Sequence, residues 1–291
     1  MSEALQLDHV GHVVADLPAA SALYARLGFD LMPVSHHQTP GPDGRMVPAG
    51  TANQCAMLEQ GYLELLMVTN RDAPSYSARE NAGFLDRFEG LHLLAMGTLD
   101  AEATRARLTQ AGMAFAPRQL GRMVDSPSGP AEAQFRLTPV NELTDGNSVF
   151  FFIEHATREL VWQPGLTRHP NGAKRLSELL IVADDPGAVA GRLDRAFGRA
   201  AKSAGDTLVW ELERSCLLLA TPQAAEARLG TPVARRNGAN AAAFAVEVAD
   251  LAAAGRQLAE SGVRFVEHGG RLTVSQADCL GTAIQFCGDK P

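Results

Sequence analysis

Histidines and carboxylates set in apolar, strand-like runs are the residues of this chain best suited to chemistry. His9 lies in LDHVGHVV, His92 in GLHLLAM, Glu64 in YLELLMV and Glu154 in NSVFFFIE. Imidazole and carboxylate together serve proton transfer or hold a divalent first-row ion. A lone strand histidine is more often a satisfied core or surface residue. A carboxylate inside an apolar strand needs a partner, which makes Glu64 the harder residue to explain by packing. His12 has the opposite strand parity to His9 and reads as structural. His36 and His37 sit in SHHQTPGPDG, read as a loop from which His37 could reach a substrate. Asn53 and Arg136 lie in strand-like segments and could orient polar substrate groups. Phe150 and Phe152 share a strand face with Glu154 and could line an apolar wall, while His169, in RHPNG, reads as a turn residue. Cys55, Cys216, Cys279 and Cys287 are scattered without a CxxC pair, so neither a zinc ribbon nor a disulfide framework is expected.

The elements that must position these groups recur along the chain. Four segments share one grammar of short apolar strand, helix and glycine: 9–29, 92–113, 178–198 and 243–263. Each helix carries an apolar face, such as Leu17, Ala20, Tyr24 and Leu27 in the first, and each ends in a glycine suited to a left-handed cap: Gly28, Gly112, Gly198 and Gly262. In the first unit, strand-like runs follow at 29–35, 51–58 and 61–69. The last run of each unit is the cleanest: YLELLMV, NSVFFFIE, SCLLLAT and TAIQFC. Each unit therefore reads strand–helix–strand–strand–strand, an α+β arrangement of four βαβββ modules. Residues 156–176, with two prolines, two glycines and Trp162, interrupt the repeat and read as a packed connector. The division expected is residues 1–155, a connector 156–176, and residues 177–291.

With 291 residues, 46% hydrophobic and 20% charged, the chain has globular composition and enough length for about two domains. Its net charge of −7 and the lack of a basic run argue against nucleic acid or an anionic membrane as partner. No apolar run is long enough to span a bilayer and the N-terminus lacks a signal-like apolar stretch, so a cytoplasmic protein with a small-molecule substrate is expected, a homodimer being compatible with the sequence.

The unit opening LDHVGHVVADL with ELL in its last strand resembles the vicinal oxygen chelate superfamily of glyoxalases, epimerases, extradiol dioxygenases and antibiotic-binding proteins. More narrowly, GYLELL together with FFFIEHATRELVWQP is similar to its glyoxalase-like branch. The resemblance implies two paired-module domains. It also implies a divalent ion (Zn, Ni, Co, Mn or Fe) held by the first and fourth strands of each unit, at His9, Glu64, His92 and Glu154 in the first pair. His155 competes with Glu154 if a bulge exchanges them. In the second pair the counterparts are Ser177 and Ala243, with about Cys216 and Gln285, so that pair is expected to hold no metal. The function implied is lyase or isomerase chemistry through a metal-stabilised enolate or alkoxide, with Glu64 or Glu154 as ligand and base. His37, Asn53, Arg136 and Phe152 are the expected substrate contacts. Two alternatives are an Fe(II) extradiol-type dioxygenase using His9, His92 and Glu154, and a non-enzymatic binding protein.

Overall fold

The computed structural model describes residues 5–288 apart from Pro42 and Pro127. The first unit comprises β1 (Leu5–Val14), α1 (Leu17–Arg26), β2 (Ser35–Pro40), β3 (Met46–Met57) and β4 (Tyr62–Val68), followed by α2 (Tyr76–Leu85). The second has β5 (Gly90–Thr98), α3 (Ala101–Gln110), β6 (Arg118–Ser126), β7 (Gly129–Pro139) and β8 (Val149–His155), followed by the short α4 (Arg158–Val161). The third has β9 (Ala173–Val182), α5 (Pro186–Phe197), β10 (Lys202–Ala204), β11 (Thr207–Leu212) and β12 (Ser215–Ala220), followed by α6 (Pro222–Leu229). The fourth has β13 (Asn240–Val248), α7 (Leu251–Glu260), β14 (Val266–His268), β15 (Arg271–Val274) and β16 (Ala283–Gly288). All four modules are thus βαβββ, as their sequence grammar implies.

Two eight-stranded sheets result, ordered β2-β3-β4-β1-β5-β8-β7-β6 and β10-β11-β12-β9-β13-β16-β15-β14. In each unit the first strand runs parallel to the fourth, and the two first strands of a pair meet antiparallel at the sheet centre. The helix after each first strand starts at an aspartate, Asp16, Asp100, Asp185 or Asp250, whose side chain accepts a first-turn backbone N–H. The four expected cap glycines all have positive φ.

Five elements differ from the sequence reading. The second strand of the first unit is Ser35–Pro40 and not 29–35, so His36 and His37 lie on a strand. Its partner β3 begins at Met46, and the hairpin pairs Ser35 with Asn53 and His36 with Ala52. Helices α2 and α6, between units, carry too few periodic apolar residues to stand out. β9 starts inside the segment read as connector.

One apolar core lies between the sheets, drawing Leu5, Leu7, Val10, Leu63 and Leu94 from the first and Leu176, Leu179, Phe244 and Phe286 from the second. The distal face of each sheet, turned away from this core, is covered locally. Phe84 of α2 packs on Val13 and Leu66, and Ala225 and Leu229 of α6 pack on Leu180 and Leu218. Val161 and Trp162 close over Cys55, Met57 and Tyr62, with the Trp162 indole N–H donating to the Leu58 carbonyl at 3.0 Å. Among the described residues no helix is long and apolar enough to cross a membrane.

Candidate active site

Two β-bulges decide which side chains reach the distal face of the first sheet. Leu7 and Val10 both enter the shared core, so the two residues between them, Asp8 and His9, are turned off it together. The register slip between Leu7 and His9 records the bulge at Asp8. In β5 the slip opposite Gly11 and His12 bulges His92 in the same way. In β4, Leu63 and Leu65 go to the core and alternation sends Tyr62 and Glu64 to the distal face. The turn feeding β4 needs Gly61, whose φ is +79° and whose place for a Cβ lies 2.8 Å from the Asp8 carbonyl oxygen.

A chain of polar side chains follows. Asp8 Oδ1 lies 2.7 Å from His9 Nδ1, and both Asp8 oxygens lie 3.0 Å from His155 Nε2. His9 Nε2 faces Glu64 Oε2 at 4.0 Å. Asn53 donates to Glu64 Oε1 at 2.5 Å, and His37 Nδ1 meets the Thr51 hydroxyl at 2.9 Å. His9 and Glu64 are 4% and 7% exposed, so the pair works almost out of water. Burial alone would raise the Asp8 carboxyl, but His155 and His9 overcome it and hold Asp8 well below the usual carboxylate range. Burial lowers His37, against the opposing pull of Glu64. Burial, reinforced by Glu64, pushes the Cys55 thiol up to about 12, while nearby Arg122 opposes the rise. Rings wall the site: His9 stacks on Tyr62 at 4.3 Å, and His155 meets Trp162 at 4.9 Å and Phe135 at 5.2 Å. His155 Nδ1 is buried and has no hydrogen-bond partner.

The four expected ligands do not converge. His9 and Glu64 meet, but His92 is held elsewhere. Its Nδ1 contacts the Asn147 carbonyl at 3.2 Å, its ring stacks on Phe84 at 4.3 Å, and its Nε2 lies 3.9 Å from Glu80. Burial pulls His92 down to about 4. Glu154 faces the other way. Phe150 and Phe152 enter the shared core, and Glu154, in step with them, accepts from the Ala101 backbone N–H at 2.8 Å and from Arg136 at 2.6 Å. Arg136 and Phe152 therefore stand away from the site as well. It is His155, in step with Phe151 and Ile153, that reaches the distal face, and β8 pairs there without a bulge. An all-apolar run such as VFFFI offers no alternation from which to read its facing, and that is why the parity was inverted. Of the expected substrate contacts, Asn53 and His37 border Glu64. His12 is structural: its ring nitrogens contact the Tyr24 hydroxyl and the Leu280 carbonyl. His36 is exposed, and His169 is buried between the Asp30 N–H and the Met57 carbonyl.

Counting back seven residues from the cap aspartates lands on His9, Leu93, Glu178 and Ala243, each preceded by a bulged residue: Asp8, His92, Ser177 and Ala242. His92 is thus the counterpart of Asp8 and not of His9. The counterparts of Glu64, by pairing opposite the residue two further on, are Phe151, Leu218 and Gln285. Glu178, not Ser177, stands where His9 does, and there Arg271 and Arg228 overcome burial to hold it at about 2. The recurrence of histidine and glutamate in the first two units is not a structural one. Among the described residues no group of three His, Cys, Asp or Glu side chains is arranged to hold an ion, and the four-donor set expected of the superfamily does not fit this chain. Asp8 and Arg122 were not singled out as site residues by sequence reasoning, and His155 entered it only as the rival of Glu154. The aspartate before His9 was the available signal.

Paired βαβββ modules with parallel first and fourth strands define the vicinal oxygen chelate architecture, whose members typically use a divalent metal. Within it, this chain belongs to the glyoxalase-like domain family, which matches residues 7–197. No curated protein matches the sequence. Three solved structures are similar in fold. A hypothetical protein from Staphylococcus aureus has a TM-score of 0.64 at 12% identity, over 98% of this chain and 100% of that one. A mutant of 4-hydroxymandelate synthase from Streptomyces coelicolor has a TM-score of 0.62 at 15% identity, over 99% and 93%. A xylose isomerase-like TIM barrel/4-hydroxyphenylpyruvate dioxygenase fusion protein has a TM-score of 0.58 at 14% identity, over 92% of this chain and 40% of that one.

Proposed function

We propose that this protein is a glyoxalase-like enzyme of the lyase or isomerase type, moving a proton on a small oxygen-rich substrate at the distal face of the first sheet. The observation that carries this reading is the buried Glu64 carboxylate, which makes no ion pair with lysine or arginine among the described residues. A carboxylate so placed is free to take a proton from carbon next to a carbonyl, with His9 opposite to exchange a proton with the substrate oxygen. Asp8 orients His9 through Nδ1, so that Nε2 is the atom presented, and Asn53 fixes the Glu64 head. The flanking rings of Tyr62, Phe151 and Trp162 exclude water, which strengthens each of these interactions. A divalent ion (Zn, Ni, Co, Mn or Fe) finds only His9 and Glu64 of its four expected donors together. The extradiol alternative needs His9, His92 and Glu154 on one ion, and these three are not assembled.

The test is deuterium uptake from D2O into a panel of small 2-oxo acids and α-hydroxyaldehydes, followed by proton NMR. The protein is expected to exchange at least one of them, and Glu64→Gln to lower that rate by about 10²–10⁴-fold with the fold kept. Equal rates in both proteins would overturn the role of Glu64.

A further inference from the structure

Arg87, just beyond α2, and Arg236, in the segment leading to β13, come from opposite halves of the chain and stack on one ring. Their guanidinium carbons lie 5.4 and 4.4 Å from the centroid of Phe88, and Arg236 also lies 5.7 Å from Phe84. Arg236 donates to the Glu89 carbonyl at 3.2 Å, and its Nη1 is buried with no partner. Arg87 donates to the carbonyls of Gly83 and Gly146. Neither makes an ion pair with a carboxylate among the described residues, whereas Arg235 beside them faces Asp184 at 4.0 Å. Burial and the Arg87 charge both lower Arg236. Two like charges gathered on one ring, with a buried N–H left over, is an arrangement short of an anion.

We propose that this seam is an oxyanion site in which Arg87 and Arg236 together hold the phosphate group of a small molecule. A phosphate presents several acceptor oxygens and up to two negative charges, which suits two planar five-donor forks. The apolar edge of Phe88 then accommodates the carbon portion beside it. With two guanidiniums at this seam and a net charge of −7 on the chain, the patch is too small for nucleic acid or a lipid surface. A bound phosphate bridges the region after α2 to the C-terminal half and ties the two halves together.

Titration of inorganic phosphate into the full chain by calorimetry and thermal melting, against sodium chloride of equal ionic strength, tests the assignment. The intact protein is expected to bind phosphate saturably and melt higher in it than in chloride. Arg87→Met and Arg236→Met are each expected to weaken binding by about tenfold or more, in line with loss of a charge-assisted contact. Arg87 is exposed, so its variant keeps the test open if Arg236→Met does not fold. Absence of saturable binding in the intact protein, or equal affinity in the Arg87 variant, overturns the site.

Discussion

Asp8 receives two imidazoles at once, His9 and His155, while nearly excluded from solvent. Its depressed proton affinity keeps it charged, and the charge fixes the His9 ring so that Nε2 points toward Glu64. In the third unit the residue at the His9 position is Glu178, clamped by two guanidiniums, so the same backbone place serves as a structural ion cluster. Asp8→Asn keeps the shape but replaces an acceptor by a group that also donates, and His9 loses its preference for one tautomer. Turnover of a substrate found by the exchange screen should then fall by about 10²–10⁴-fold, mainly in kcat. In the same variant the slowly exchanging His9 Nδ1 proton should vanish from the downfield NMR spectrum. A variant with unchanged kcat and unchanged imidazole resonances would show that Asp8 only packs.

At the scale of elements, bulges and turns do the positioning. The bulge at Asp8 turns two consecutive polar residues of β1 to one face, something a regular strand forbids. The β3–β4 turn is held by the Leu58 N–H on the Gly61 carbonyl at 3.0 Å, and Gly61 lies against both the Asp8 backbone and Leu176 of the other half. Gly61→Ala would bring left-handed strain of about 1–2 kcal/mol together with a contact that must displace the bulge. We expect it to lose about 2 kcal/mol or more by urea unfolding and to impair activity beyond what stability explains. Retention of both would mean that the bulge tolerates movement.

At the scale of the whole molecule, the two sheets share one core and are stitched along it. Leu5 accepts from the Glu213 N–H, Leu7 donates to Ser215, and His12 Nε2 meets the Leu280 carbonyl at 2.8 Å. Burial pulls His12 down to about 4, as it does His92. Both folded-state values lie below the ordinary histidine value, so the unfolded chain binds more protons between about pH 6.5 and pH 4. Stability must therefore fall as the pH drops through that window, by up to about 3 kcal/mol for each histidine. Asp8, whose carboxyl is also held low, acts in the same sense but at lower pH, losing its contribution only as the pH falls below the ordinary carboxylate range. Melting temperature measured from pH 7 to 4.5 should decline, and His12→Gln should flatten the decline even if it melts lower overall. The same slope in both proteins would remove His12 from the account.

The order of elements was legible in the sequence because it is written in local terms. Apolar strands, helices with an apolar face and cap glycines recur four times, and each acts within a few residues of itself. Glu64 stood out for the same reason, as a charge in an otherwise apolar strand. Facing was not legible where alternation is absent: VFFFIEH is apolar on both sides, so Glu154 and His155 exchanged roles. Neither were the bulges, since a one-residue slip in pairing depends on the partner strand and moves every side chain beyond it to the other face. That slip made His92 the counterpart of Asp8, and a one-residue offset at Asp184 and Asp185 hid Glu178 behind Ser177. The sequence by itself determined which units form and which residues carry charge; only the tertiary structure decided which of those charges meet, because register across strands is set by contacts between residues far apart in the chain.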